Sequence, residues 1–168
     1  MSGFPNLQPA FTVRVSITAP LEVGAQHGAP LVIVPMVSGT VKSEPGFEPA
    51  LDAELHGVGY DYIHNDADGT NMRLDVRSQV ITTDSTILAM YYRGTVAVTP
   101  GVKAVLGGDP AAKTTEWGDS FVTFSFETGS QKYKELQNGV FVAAGRFVVE
   151  EGEGGIVEYR VSRVVVGK

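Results

Sequence analysis

Met72-Arg73-Leu74-Asp75-Val76-Arg77-Ser78-Gln79-Val80 alternates Met72, Leu74, Val76, Ser78 and Val80 with Arg73, Asp75, Arg77 and Gln79. Successive residues of an extended chain point to opposite faces, so this period of two marks a β-strand with two chemically different faces. Upstream, Phe11, Val13, Val15 and Ile17 interleave with Thr12, Arg14 and Ser16 in the same way. Downstream, Phe121-Val122-Thr123-Phe124-Ser125-Phe126-Glu127 repeats the pattern. Val140–Val149 and Ile156–Val166 read as two further strands around a solvated tip, Glu150-Glu151-Gly152-Glu153-Gly154-Gly155. Turn signals at Asp66–Gly69, Thr82–Ser85, Thr99–Gly101 and Gly107–Pro110 punctuate the chain at the spacing of a sandwich or barrel. One segment departs from this, because Ser130 to Gly139 pairs a Ser cap with good helix formers and a terminal Asn-Gly, predicting a short helix near 130–138. An antiparallel sheet of this kind must hide its edges, and closure does so. The expectation is an all-β fold, an antiparallel β-barrel of about eight strands, wide enough to fill itself or to hold one small ligand.

The chain has 168 residues, 43% hydrophobic and 19% charged, with a formal net charge of −6. That length predicts a single domain over 1–168. The apolar content is too high for a disordered polyanion. The longest apolar runs, Leu31–Val34 and Val164–Val166, fall far short of the ~20 residues that cross a bilayer, so no membrane partner is expected. No secretory signal is visible in Met1–Val13, and without cysteine there is no disulfide framework or thiolate site; a cytoplasmic location follows as the default. Thirteen Lys and Arg scattered among nineteen acids argue against a nucleic-acid partner.

Asp61, Asp68-Gly69-Thr70, Leu74-Asp75-Val76-Arg77 and Thr82-Thr83-Asp84 follow one another in the order and spacing of a known signature. Phe126-Glu127-Thr128-Gly129-Ser130, Tyr133, Leu136, Val140 to Gly145 and Tyr159-Arg160-Val161 continue it, with Val34-Pro35 and Ser38-Gly39-Thr40 fitting an early strand. Over roughly residues 11 to 165 the chain resembles the DUF3237 family of uncharacterised proteins. The resemblance implies a barrel similar to the allene-oxide-cyclase, dirigent and lipocalin barrels, often a homodimer, with no cofactor. Some fungal members of that family are thought to be polyketide cyclases. The chain departs from bacterial relatives where Tyr62 replaces a Trp and Glu135-Leu136-Gln137 replaces Trp-Leu-Asn, which changes residues expected to wall a pocket.

Asp75 and Arg77 lie two apart on one strand and share a face. Joining this strand to Thr86–Thr95 by a two-residue turn, Thr83-Asp84 or Asp84-Ser85, puts Met90 and Tyr92 on that face with Gln79. Periodicity leaves open whether it is the lumen or the surface, where an Asp–Arg ladder contributes under ~1 kcal/mol. The resemblance favours the lumen. Asp61 sits among aromatics in Tyr60-Asp61-Tyr62, where desolvation raises a carboxyl pKa by as much as ~3–5 units. The expected catalytic set is Asp61 as proton donor or acceptor, Arg77 as charge stabiliser, and Asp75 and Tyr92 as orienting partners. Tyr60, Tyr62, Gln79, Met90, Trp117, Phe124, Tyr133 and Phe141 are the expected substrate contacts, with Trp117 a possible lid. His56, Asp61, His64, Asp66 and Asp68 do not have the spacing of a metal site, and none is expected.

The function these residues suggest is a cofactor-independent cyclase or isomerase closing an oxygen ring in a hydrophobic, aromatic polyketide-type molecule. The alternatives are a non-catalytic lipocalin-like carrier and a filled structural barrel.

Overall fold

The computed structural model describes residues 3–167. Ten strands form one antiparallel sheet: β1 (Pro5–Ile17), β2 (Leu21–Gly24), β3 (Leu31–Ser43), β4 (Asp52–Leu55), β5 (Gly59–Asn65), β6 (Asn71–Thr82), β7 (Ile87–Ala97), β8 (Ser120–Glu127), β9 (Phe141–Val148) and β10 (Gly155–Val166). The sheet closes on itself. β1 pairs with β10 along one edge and with β3 along the other. From β3 the ring passes through one shared position to β6, with β5 bridging the early half of β3 and β4 the late half. The result is a ring of eight strand positions, barrel-like as the alternation predicts, with the short β2 continuing along β3 beyond the end of β1. Closure pairs most of each ring strand on both sides, while the start of β1, Pro5–Pro9, pairs with β10 alone.

Two helices punctuate the ring. The helix expected near 130–138 is present but shorter, α2 (Lys134–Asn138), and Ser130 does not cap it. Residues 131–133 form a turn before it, and the N–H of Ser130, which precedes that turn, donates to Thr128 Oγ1. A second helix, α1 (Pro100–Leu106), replaces the plain turn expected at Thr99-Pro100-Gly101. The sequence carried its signal, for Thr99 is an N-cap whose hydroxyl accepts the Val102 N–H at 3.3 Å, and Pro100 follows in the first turn.

The interior divides into two halves. At one end Phe11 lies 5.5–6.3 Å, ring to ring, from Phe47, Phe124, Phe126 and Phe141. Phe47 and Leu51 reach this cluster from the loop between β3 and β4, and Leu88, Met90 and Leu136 complete it. Such pairs add about 0.5–1.5 kcal/mol each beyond the area they bury, and this end is filled. The other end is hollow.

The turn between β6 and β7 decides which side chains face that hollow. Ile81 pairs with Ile87, and the Thr82 N–H donates to the Thr86 carbonyl, leaving a three-residue turn of Thr83, Asp84 and Ser85. Ser85 takes the left-handed conformation (φ 65°) that such turns require. This corrects the two-residue turn expected from the sequence, and the correction propagates. Val76 now pairs with Tyr92 and Ser78 with Met90, so Tyr92 and Met90 share a face with Leu74 and Val76, not with Asp75 and Arg77. One residue of turn length reverses the relative facing of two strands.

Candidate functional site

The hollow half encloses a cavity of about 660 Å³. Its walls are mostly aliphatic: Val15 and Ile17 of β1, Val32, Val34 and Met36 of β3, Ile63 of β5, Met72 and Leu74 of β6, Val96 of β7, Val157 of β10, with Phe147 of β9 and Asn65 of β5 among them. Val105 and Leu106 of α1, the segment Thr18–Pro20, Glu22 and the Gly154-Gly155 tip frame its mouth. Into this surface project the Asp61 carboxyl and the side chains of Tyr92 and Tyr159.

Asp61 is 8% exposed. Its place follows from the alternation of β5, in which Gly59, Asp61 and Ile63 are buried while Tyr60, Tyr62 and His64 face outward. The β5–β6 ladder lapses between the Asp61–Val76 and His64–Arg73 pairs. In that gap the Asp75 N–H donates to Asp61 Oδ1 at 3.0 Å. Oδ2 has no hydrogen-bond partner among the described residues and is left to the cavity. Burial dominates the acidity: desolvation penalises the carboxylate, the Asp75 amide partly offsets it, and the Asp75 charge adds to it, so the pKa rises from 3.8 to about 7.

The two tyrosines are fully buried, and desolvation followed by neighbouring groups, Asp61 among them, pushes both phenols up, so both remain neutral donors. Tyr92 donates to Met36 Sδ at 3.2 Å and stacks on Phe124 at 4.4 Å. Tyr159 meets Tyr92 edge to face at 5.2 Å. Its ring fits because position 145 is glycine: a Cβ there would lie 2.5 Å from Tyr159 Cε1. Gly59 plays the same part on the other side, where a Cβ would lie 2.7 Å from Met36 Cε.

Of the residues singled out in the sequence, the structure brings Asp61 and Tyr92 into the cavity. Phe124 packs beneath Tyr92. Met90, Tyr133 and Phe141 are buried in the filled half and do not line the cavity, and the Tyr133 hydroxyl is 3.2 Å from Asp84 Oδ2. The expectation that Asp75, Arg77 and Gln79 face the lumen is overturned by the register. Asp75 accepts from Arg93 Nε at 3.0 Å on the outer face, Arg77 lies 5.2 Å over the Tyr91 ring there, and Gln79 donates to the His56 and Val58 carbonyls. Tyr60 and Tyr62, 40% and 43% exposed, are outside as well. Trp117 is no lid; it lies 4.5 and 5.4 Å from the guanidinium carbons of Arg146 and Arg160, beside the buried Glu158 that Arg14 and Arg146 bind. Tyr159 is the residue that sequence reasoning missed as a site. Its signal was its place between Val157 and Val161 on one strand face.

Several solved structures share this fold, three of them as follows. A conserved protein of unknown function from Rhodopseudomonas palustris superposes with a TM-score of 0.79 at 17% identity, over 96% of this chain and 99% of its own. A beta-barrel-like protein from Acinetobacter baumannii gives 0.72 at 22% identity, over 96% and 97%. An enzyme from Penicillium herquei gives 0.61 at 17%, over 96% and 95%. A comparison with curated proteins finds no match. No helix among the described residues is long and apolar enough to cross a membrane. The model of the family described as a protein of unknown function, DUF3237, matches residues 5–164, and the chain belongs to that family.

Proposed function

We propose that this protein is an enzyme that moves one proton within an apolar small molecule and so closes an oxygen ring, with Asp61 as the acid and base. The observation that carries the reading is a carboxyl with a pKa near 7 and one free oxygen, held in a 660 Å³, mostly aliphatic cavity. A structural carboxyl is seldom left so dehydrated, and an acid that titrates near neutral pH can both give and recover a proton. The Penicillium herquei neighbour, described as an enzyme, is consistent with a catalytic use of the fold.

The chemistry balances without a co-reactant. The Asp61 proton passes to one alkene carbon, the substrate hydroxyl oxygen bonds to the other, and the hydroxyl proton returns to the carboxylate. Addition to an enone through an enolate fits less well, because Arg77, the group expected to hold that charge, lies outside the ring. Tyr92 and Tyr159 orient the substrate, and the walls hold it folded, which supplies as much as ~7–11 kcal/mol of the barrier.

The test is conversion of 2-prenylphenol to its chroman. Asp61→Asn keeps an oxygen for the Asp75 amide and should slow turnover at least ~10²-fold with the fold intact. In the wild type, kcat/KM should fall as pH rises past about 7, because the acid form is lost. Equal rates in the two proteins end the proposal. One observation favours a second reading, a carrier: with Arg77 outside, the lumen has few polar groups, as a storage site would. Tight binding of such phenols with no product from any of them would identify a carrier.

A further inference from the structure

We propose that the cavity selects its ligands by the sign of their charge: it takes apolar molecules that are neutral or positively charged, seats a protonated amine on Asp61, and rejects carboxylates, phosphates and sulfates. The proposal rests on the reading of this cavity as the working site. Its basis is the distribution of charge around the hollow. The ionisable side chains that line it are Asp61, Glu22, Tyr92 and Tyr159, and no Lys, Arg or His is among the described residues of its wall. The arginines of β6 and β7 lie on the other side of the sheet, where Arg93 is bound to Asp75 and Arg77 rests on Tyr91. Asp61 Oδ2 therefore meets the lumen with no cation beside it.

The groups around Asp61 reinforce this. From β6 the Asp75 carboxylate acts on it through the sheet; from β7 and β10 come the rings of Tyr92 and Tyr159; from β2 Glu22 stands at the mouth. The lining of β1 and β3 is uncharged. An anion entering here would lose its hydration and meet only negative charge and neutral donors, whereas a cation finds a carboxylate and aromatic rings. A protonated amine also imitates the positive carbon that proton donation by Asp61 would create, so it should behave as an analogue of that state.

The experiment is calorimetric titration of the intact protein with 1-naphthylmethylamine, 1-naphthylmethanol and 1-naphthylacetate, three probes of one skeleton and three charges. At about pH 8, above the Asp61 pKa, the amine should bind at least ~10-fold tighter than the alcohol, and the acetate should not bind. At about pH 5 the amine should lose most of that advantage, while the alcohol is unchanged. Asp61→Asn should abolish the advantage at both pH values and leave alcohol binding in place, which also reports that the cavity is intact. Acetate binding as tight as the alcohol, an amine preference that survives Asp61→Asn, or no binding by any probe overturns the proposal. The two readings fail separately: charge selection without ring closure leaves this inference standing, and Asp61-dependent ring closure with acetate bound leaves only the catalytic one.

Discussion

Asp61 shows how little separates a structural carboxyl from a chemical one. Exposed, it would titrate near 3.8; in this cavity it titrates near 7 because the protein removes its water and returns one amide. The shift has a thermodynamic counterpart whose sign is fixed. Between the two values the folded state holds the proton and the unfolded chain does not, so stability falls as pH rises from about 4 to about 7 and then levels. Asp61→Asn carries no charge at any pH. The variant should match the wild type near pH 4 and exceed it progressively toward pH 7, by as much as ~4 kcal/mol, in urea unfolding followed across that range. A stability difference that does not vary with pH would show that Asp61 is not buried as an acid.

At the scale of elements, α1 and the β6–β7 turn carry the arrangement. α1 is one of four pieces framing the mouth, and it hangs on the Thr99 hydroxyl, which accepts from Val102 and donates to Asp119 Oδ2 at 3.1 Å. Thr99→Ala should cost about 0.5–2 kcal/mol and raise hydrogen exchange in residues 100–106 before the ring strands are affected. Unchanged exchange there would mean that α1 is held by the burial of Val102 alone. The β6–β7 turn acts over a longer range. Its third residue, Ser85, settles which face of β7 meets Leu74 and Val76, and hence that Tyr92 is inside and Arg77 outside.

In the whole molecule, a filled half holds the ring together and leaves the other half free for a ligand. The two halves should answer substitution in opposite ways. Phe11→Ala removes the ring that touches four others and should cost about 3–5 kcal/mol, read as a lowered denaturant midpoint. Leu74→Trp adds volume where the cavity is empty; it should leave that midpoint nearly unchanged while abolishing binding of naphthyl probes. If Leu74→Trp destabilised as much as Phe11→Ala, the hollow would be a packed core and no site.

The sequence alone determined most of the long strands, because period-two alternation and turn residues are local and a long strand repeats them several times. The four-residue strands β2 and β4 are too short to show the pattern, and the family followed from the resemblance of the motifs, not from the alternation. The sequence also pointed to a dehydrated Asp61, but through Tyr60 and Tyr62, which face outward; the burial comes from the parity that Asp61 shares with Gly59 and Ile63. Only the tertiary structure decided which parity faced inward and which inward residues met a cavity. Asp75 and Arg77 look as functional as Asp61 in the sequence, yet a three-residue turn and the pairing of Asp61 with Val76 place them outside. Facing depends on register, register depends on a single residue in a turn, and no pattern within one strand records what its neighbours do.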